Sequence, residues 1–365
     1  MTTFIDQLTN RLSVKRETLK ETFHQSQRKL DPELRDQVVQ HWHAPLPPKS
    51  NGNMRPGFAV DGSSRRADLV NGSTVFVAQA LLIGEELNER VADLEILPGT
   101  VKASTMDRFA DLMRQSLEIG LASQFAATIP EQSILYLDGA VYGTLPQLYP
   151  LRAEGIPEDR DFATVLLQDY HKLFHTCEQR GIQLISIAKT NRQGLFSRIL
   201  QKELGRQDDE IQEISDSALF DELTGHRMGF STPVMLGKYS FSAGSSVVLL
   251  EKGQVKDEPA IVSFFVRLDD LDDALRIDVP ASCLGETHRI SDLDFKLVSP
   301  DLVLPIIETL RGDYGGVQVY NALAYVSDRE VRLTKQKMYD IYLPMVSDLL
   351  GEEIRIDRSE RRFVE

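Results

Sequence analysis

The chain is short of cysteine, positive charge and long apolar runs, and each shortage narrows what it can be. Two cysteines, Cys177 and Cys283, stand far apart among 365 residues. That excludes a disulfide framework and the paired spacing of a zinc ribbon, and two buried thiols are expected instead. No apolar run is long enough to cross a bilayer, and the opening Met1-Thr2-Thr3-Phe4-Ile5-Asp6 lacks the basic and apolar regions of a signal peptide. A cytoplasmic protein with no membrane partner is expected. Lysine and arginine number 41 against 55 aspartates and glutamates, a net charge of −14. This balance excludes a protein that coats nucleic acid over its whole surface. It does not exclude an enzyme acting on nucleic acid, because clustered carboxylates add to the negative count while a local basic groove tracks phosphates.

What is present is the make-up of a soluble globular protein, 42% hydrophobic and 26% charged, without internal repeats or low-complexity segments. Residues 1–50 read as a helical appendage and linker, whose helices suit either interaction and dimer formation or packing as a flap on the chain's own domain. Phe4, Ile5, Leu8, Leu12, Leu19 and Phe23 recur at helical spacing, a second helical piece runs from Pro32 to Trp42, and a Pro/Gly/Asn-rich stretch follows at 44–53. Residues 51–350 read as one α/β domain. A β-meander is expected from Phe58 to Leu97. Helices are expected over 103–128, capped by Ser104 or Thr105, and over 160–179, 192–204, 215–223, 299–311 and 334–350. Strands are expected at 133–138, 182–188, 233–236, 245–250, 260–268 and 274–279. The acidic turn Asp269 to Asp273 lacks the glycine and closing glutamate of a calcium loop and reads as solvated. Residues 351–365 read as a charged tail.

Two stretches carry chemistry. Phe58-Ala59-Val60-Asp61-Gly62-Ser63-Ser64 and Ser133-Ile134-Leu135-Tyr136-Leu137-Asp138-Gly139 are apolar runs that each deliver Asp-Gly. Asp-Gly alone is also a common turn dipeptide. Two strands of one sheet that end this way would bring two carboxylates together, suited to Mg²⁺ or Mn²⁺, which take oxygen ligands at roughly 2.0–2.2 Å. Glu118 sits among Leu117, Ile119, Gly120 and Leu121 on the 103–128 helix, where an uncompensated charge is costly. The strand 182–188 ends in Lys189, a point charge able to balance carboxylates or hold a phosphate, or else a surface lysine at a strand end.

The ordered set Val60-Asp61-Gly62-Ser63, helical Glu118, Leu137-Asp138-Gly139 and Ala188-Lys189-Thr190 resembles the NurA nuclease family. The likeness extends through Ser215-Asp216-Ser217-Ala218-Leu219-Phe220, Phe265-Val266-Arg267-Leu268 and Leu275-Arg276-Ile277-Asp278-Val279-Pro280. The resemblance implies an RNase H-like mixed sheet flanked by helices, with added C-terminal β and helical elements. It implies manganese-dependent cleavage of DNA, as a 5′ to 3′ exonuclease and single-strand endonuclease. It further implies a homodimer that acts on DNA ends with a hexameric HerA-type ATPase in end resection and repair. Carried over residue by residue, the metal-binding carboxylates fall on Asp61, Glu118 and Asp138, holding two Mn²⁺ or Mg²⁺ ions, with Lys189 as the strand-end lysine.

One departure from the family pattern concerns a histidine that joins the metal site near the C-terminus, after a Gly-Tyr-Pro segment and within an Ala-His pair. Here the stretch reads Gly312-Asp313-Tyr314-Gly315-Gly316-Val317-Gln318-Val319-Tyr320-Asn321-Ala322-Leu323-Ala324-Tyr325, with neither proline nor histidine. Ala324-Tyr325 is the closest match, with Asn321 one helical turn earlier, so Asn321 and Tyr325 are candidate oxygen ligands. Arg65, Arg66, Lys189 and Tyr314 are candidate phosphate contacts. The rival functions are a catalytically weakened scaffold that docks a DNA translocase, for instance in defence against foreign DNA, and a phosphotransferase of the wider superfamily. The second lacks a glycine-rich phosphate loop.

Overall fold

A computed structural model of the chain describes residues 3–23, 31–49, 55–148, 154–157, 160–189, 194–239 and 255–358. The strand expected at 245–250 lies outside the described residues. Helices α1 (Phe4–Phe23) and α2 (Pro32–Gln40) lead into the short strand β1 (Trp42–His43). The meander follows as β2 (Gly57–Asp68), β3 (Thr74–Gly84) and β4 (Leu87–Leu97), then α3 (Ala103–Phe125), β5 (Ile134–Asp138), the single turn α4 (Val141–Thr144), α5 (Phe162–Arg180) and β6 (Gln183–Ala188). Next come α6 (Leu195–Glu203), α7 (Asp216–Leu223), β7 (Gly229–Ser231), β8 (Val234–Leu236), β9 (Ile261–Arg267), β10 (Leu275–Pro280) and β11 (Phe295–Leu297). The helices α8 (Leu304–Asp313), α9 (Ala322–Val331) and α10 (Leu343–Leu350) complete the set used below.

The described strands make one 11-stranded sheet whose main path runs β1-β7-β9-β10-β6-β5-β2-β3-β4. Within it, β2, β3 and β4 are antiparallel, β5 joins β2 in parallel and β6 joins β5 in parallel. This central block, β4-β3-β2-β5-β6, is the RNase H-like mixed sheet that the resemblance implies. The period-2 alternation of β2 and β5 feeds two cores. Phe58, Val60, Leu135 and Leu137 face a core shared with α3 and α5, whereas Ala59, Ile134 and Tyr136 face a second core beneath α8. Strand β3 is buried over almost its whole length, since α3 covers one face and α9 the other.

Three expectations differ from what is found. Helix α3 begins at Ala103 with Lys102 as an N-cap that makes no side-chain bond, so Ser104 and Thr105 lie inside the first turn. The turn Pro98 to Val101 sets its entry, with Val101 N bonded to Pro98 O at 3.1 Å and its side chain in the core. Helix α2 and strand β1 are built into the main body, because Leu34 and Val38 are fully buried in the first core and Trp42 and His43 pair with β7 at the sheet edge. In α1, Phe4, Ile5, Leu8 and Leu12 are exposed. Helix α9 is not expected from apolar periodicity, because it buries Ala324, Ser327 and Val331, two of which are small or polar. Among the described residues no helix is long and apolar enough to cross a membrane.

The family-like motifs outside the acidic set have structural work. Asp216 is buried and accepts from Phe196 N at 3.0 Å and Ser197 N at 2.8 Å, so α7 caps the start of α6. Arg267 donates from its buried guanidinium to Thr224 Oγ1 at 2.6 Å and Asp221 Oδ1 at 3.0 Å.

Candidate active site

Parallel pairing aligns the two Asp-Gly stretches. Val60 of β2 is the partner of Leu137 of β5, and each is followed at once by an aspartate, Asp61 and Asp138. Val60 and Leu137 point into the α3 core, so the next residues point to the opposite face, side by side on strands about 4.8 Å apart. Asp138 is in turn the partner of Ile187 on β6, so Lys189, two residues later, returns to the same face. Its Nζ lies 3.3 Å from Asp138 Oδ1. Three neighbouring strands thus place carboxylate, carboxylate and ammonium in a row.

Glu118 reaches this row from the other side of the sheet. It is buried on α3, and its carboxylate lies against Gly62, where the missing side chain leaves room for it. Arg114, one helical turn earlier, donates from Nη1 to Glu118 Oε1. A cavity of about 80 Å³ lies between α3 and the strand ends, with Arg114, Glu118, Asp138, Gly139, Tyr170 and Ser186 in its walls.

The electrostatics are those of crowded negative charge. Burial pushes the Asp61 carboxyl up to about 7, the Asp138 charge adds to it, and the Gly62 N–H at 2.7 Å and Lys189 oppose it. Burial likewise pushes Glu118 up to about 7, opposed by Arg114 and reinforced by Asp61 and Asp138. At Lys189 burial works against the charged form, but Asp138, Tyr320 and Asp328 outweigh it and raise its pKa. The Tyr320 ring lies under the ammonium, 5.0 Å from Nζ to the ring centroid. Burial pushes the Tyr320 phenol up to about 12.

Among the described residues, no group of three or more histidine, cysteine, aspartate or glutamate side chains is gathered to hold a metal ion as the side chains stand. The chemistry of the donor set nevertheless fits a hard divalent cation. Asp61, Asp138 and Glu118 offer only carboxylate oxygens, and the raised proton affinities of Asp61 and Glu118 mark a site where a further positive charge would be stabilised.

The other candidates are dispersed. Asn321 is fully buried, and its Oδ1 caps α9 by accepting from Ala324 N at 2.9 Å. Tyr325 lies on the exposed side of α9, and Tyr314 donates its hydroxyl to Asp272 at 3.0 Å in the acidic turn. Arg66 is paired with Asp107 of α3 at 2.5 Å. Arg65 shares the face of Asp61 but lies four residues further along β2, with Nε 3.4 Å from Leu333 O. Three residues at the site were not expected from sequence: Arg114, Tyr320 and Asp328. Arg114 had a signal, an arginine four residues before a buried glutamate on one helix. Tyr320 and Asp328 had none short of the fold.

The NurA domain family model matches residues 57–293. The chain is similar to the crystal structure of the NurA nuclease from Sulfolobus solfataricus, at 14% identity and a TM-score of 0.59, over 94% of this chain and 97% of that one. It is similar to a NurA crystal structure with manganese, at 14% identity and a TM-score of 0.58, over 93% and 98% of the two chains. A NurA bound to dAMP and manganese aligns at 12% identity and a TM-score of 0.51, over 98% of each chain. No curated protein sequence matches the chain. With the family model spanning more than half of its length, and Asp61, Glu118 and Asp138 all inside the matched region, the chain belongs to the NurA domain family.

Proposed function

We propose that the chain is a nuclease that hydrolyses phosphodiester bonds of DNA with a divalent cation. The observation that carries this is the alignment of Val60 with Leu137 on adjacent parallel strands, which brings the residues that follow them, Asp61 and Asp138, together, with Lys189 against the second carboxylate, in a chain of the NurA family. Solved relatives described as a nuclease and as bound to manganese and dAMP support it. When bound, Mn²⁺ or Mg²⁺ supplies Lewis acidity at a phosphate oxygen and lowers the pKa of a water molecule.

Asp61, Asp138 and Glu118 would hold that cation, and the rest of the work falls to the chain itself. Asp61 and Asp138 are fixed by a continuous sheet, so their spacing needs little reorganisation when substrate arrives. Arg114 orients Glu118 and offsets its charge. Lys189, seated on Tyr320, presents a point charge to a phosphate oxygen. Single- and double-stranded DNA ends as substrates, 5′ to 3′ exonuclease and single-strand endonuclease action, a homodimer and a hexameric HerA-type ATPase as partner extend the proposal on family membership alone.

The test is cleavage of end-labelled single- and double-stranded DNA in Mn²⁺, Mg²⁺ or EDTA, comparing the parent with Asp61→Asn. Metal-dependent cleavage that EDTA stops and the substitution abolishes is expected. A parent that cuts nothing with either metal, even beside a HerA-type ATPase, would overturn the proposal and leave a scaffold.

A further inference from the structure

Helix α9 crosses the face of the sheet that carries Asp61 and Asp138, packing on β2, β3 and β5. Asn321 caps its start, and Ala324, Ser327 and Val331 seat it on the strands. The small side chains at 324 and 327 let the helix axis come close to the sheet. Asp328, next to Ser327, therefore falls at the rim of the site. Its Oδ1 lies 3.9 Å from Lys189 Nζ, which lies 3.3 Å from Asp138 Oδ1. The lysine ammonium thus sits between one carboxylate from β5 and one from α9.

Asp328 belongs to the same cluster by geometry, since α9 packs on β2, which carries Asp61, as well as on β5, which carries Asp138. In that cluster Asp61, Glu118, Asp138 and Asp328 face two side-chain cations, Lys189 and Arg114. The excess is negative, and it lies on the open side of the site, where the Asp328 side chain is 57% exposed. An all-oxygen arrangement of this kind suits a hard divalent cation better than a softer transition metal.

Given the metal-dependent function proposed above, we propose that Asp328 is a metal-binding carboxylate of this site, acting with Asp61 and Asp138, and that the Lys189 ammonium stands in for the cation between Asp138 and Asp328. Lys189 would yield that position to a divalent ion held by Asp61, Asp138 and Asp328, and its ammonium would then be free to meet a phosphate oxygen. Lys189 then has two partners in turn, the carboxylates before the cation binds and the phosphate afterwards.

The test is Mn²⁺ binding to the full chain, followed by isothermal titration and by loss of the free-ion electron paramagnetic resonance signal, in the parent, Asp328→Asn, Lys189→Met and Asp61→Asn. Asp328→Asn is expected to weaken Mn²⁺ binding by about tenfold or more. Lys189→Met is expected to strengthen it, because the internal competitor is gone, an outcome that a merely structural role for Lys189 would not produce. Circular dichroism confirms that each variant is folded. If Asp61→Asn loses Mn²⁺ while Asp328→Asn binds it within twofold of the parent, the assignment of Asp328 is overturned and the proposed function stands. Binding that is unchanged or weaker in Lys189→Met overturns the stand-in role. A parent that takes up no Mn²⁺ overturns both the assignment and the metal-dependent function beneath it.

Discussion

Gly62 stands against Glu118 with no room for a side chain between them: a Cβ at position 62 would lie 2.6 Å from Glu118 Cγ and 2.8 Å from its carboxyl carbon. The backbone at Gly62 lies in an ordinary strand of β2, so approach, not a left-handed conformation, demands glycine there. The same residue also donates its N–H to Asp61 Oδ1. One glycine therefore lets a carboxylate from α3 come close to a carboxylate from β2 across the plane of the sheet.

Gly62→Ala is expected to push Glu118 away, lowering stability by roughly 1–3 kcal/mol through overpacking and weakening metal-dependent cleavage. The control is Gly139→Ala. Gly139 has a φ of +92°, but a Cβ added there would meet open space, so that change brings backbone strain without a collision. Urea unfolding of both variants, with cleavage assays alongside, checks this. A Gly62→Ala protein with full activity and an unshifted midpoint would mean that Glu118 can turn aside at no cost and takes no part in the chemistry.

The ion pair between Arg114 and Glu118 supports a second prediction. Glu118 is buried, and above about pH 7, where it is ionised, removing its partner leaves an uncompensated charge inside the protein, which typically costs about 3–5 kcal/mol. Arg114 is itself about a quarter exposed, so the lower part of that range is expected. Arg114→Met alone should therefore unfold at distinctly lower urea, and Arg114→Met combined with Glu118→Gln should recover most of the loss. Equal midpoints for the single and double variants would show that Glu118 is protonated or solvated without help from Arg114.

Much of this site was legible before the fold was known, and what was hidden was hidden for physical reasons. Asp61, Asp138 and Lys189 each terminate or interrupt an apolar run, and a charge delivered by buried strand residues is a signal that needs no tertiary information. Glu118 announced itself by its apolar neighbours. The alignment of Val60 with Leu137, which turns two Asp-Gly dipeptides into one site, depends on a parallel crossover through α3, and no local pattern encodes it. No local pattern marks Tyr320 and Asp328, because they flank or ride on α9, a helix whose buried face is too small and polar to register as amphipathic. Within 312–325 the sequence pattern points to Asn321 and Tyr325, of which the first caps that helix and the second lies on its exposed side.

A third prediction concerns pH. Asp61 and Glu118 both hold their protons up to about 7 in the folded, metal-free protein, chiefly through burial, against ordinary values of 3.8 and 4.5. Between about pH 4 and 7 the folded state therefore binds more protons than the unfolded chain. Their contribution is most favourable below the ordinary carboxylate range, falls as pH rises towards 7, and levels off above it. With ~1.4 kcal/mol for each tenfold change in proton affinity, the loss amounts to a few kcal/mol for each group. In EDTA, Asp61→Asn should gain stability relative to the parent at pH 7.5 and show little difference at pH 4. Urea midpoints across that range provide the comparison, and parallel pH profiles for parent and variant would sink the prediction.

The last prediction concerns Asp278 of β10, which β6 separates from the Asp138 strand. Its Oδ1 accepts from Ser263 Oγ at 2.7 Å and from Arg276 Nε at 3.0 Å. Its Oδ2 accepts from Arg276 Nη2 at 3.2 Å and from the backbone Tyr142 N at 3.0 Å. Tyr142 lies in α4, the turn that follows Asp138-Gly139-Ala140, so this buried carboxylate anchors the chain just after it leaves the site. Breaking a buried pair from one side typically costs about 3–5 kcal/mol, whereas replacing both members with apolar groups is often nearly neutral. Asp278→Ala should thus be severely destabilised, and Arg276→Met combined with Asp278→Leu should regain most of the stability. The double variant still lacks an acceptor for Tyr142 N, so the turn after Asp138 loses its anchor while the core is repaired. A folded, stable double variant with reduced DNA cleavage and weakened Mn²⁺ binding is the expected outcome. Should it cleave and bind as the parent does, the Arg276–Asp278 pair serves the stability of the sheet alone, and Asp138 is held by β5 without help from the turn beyond it.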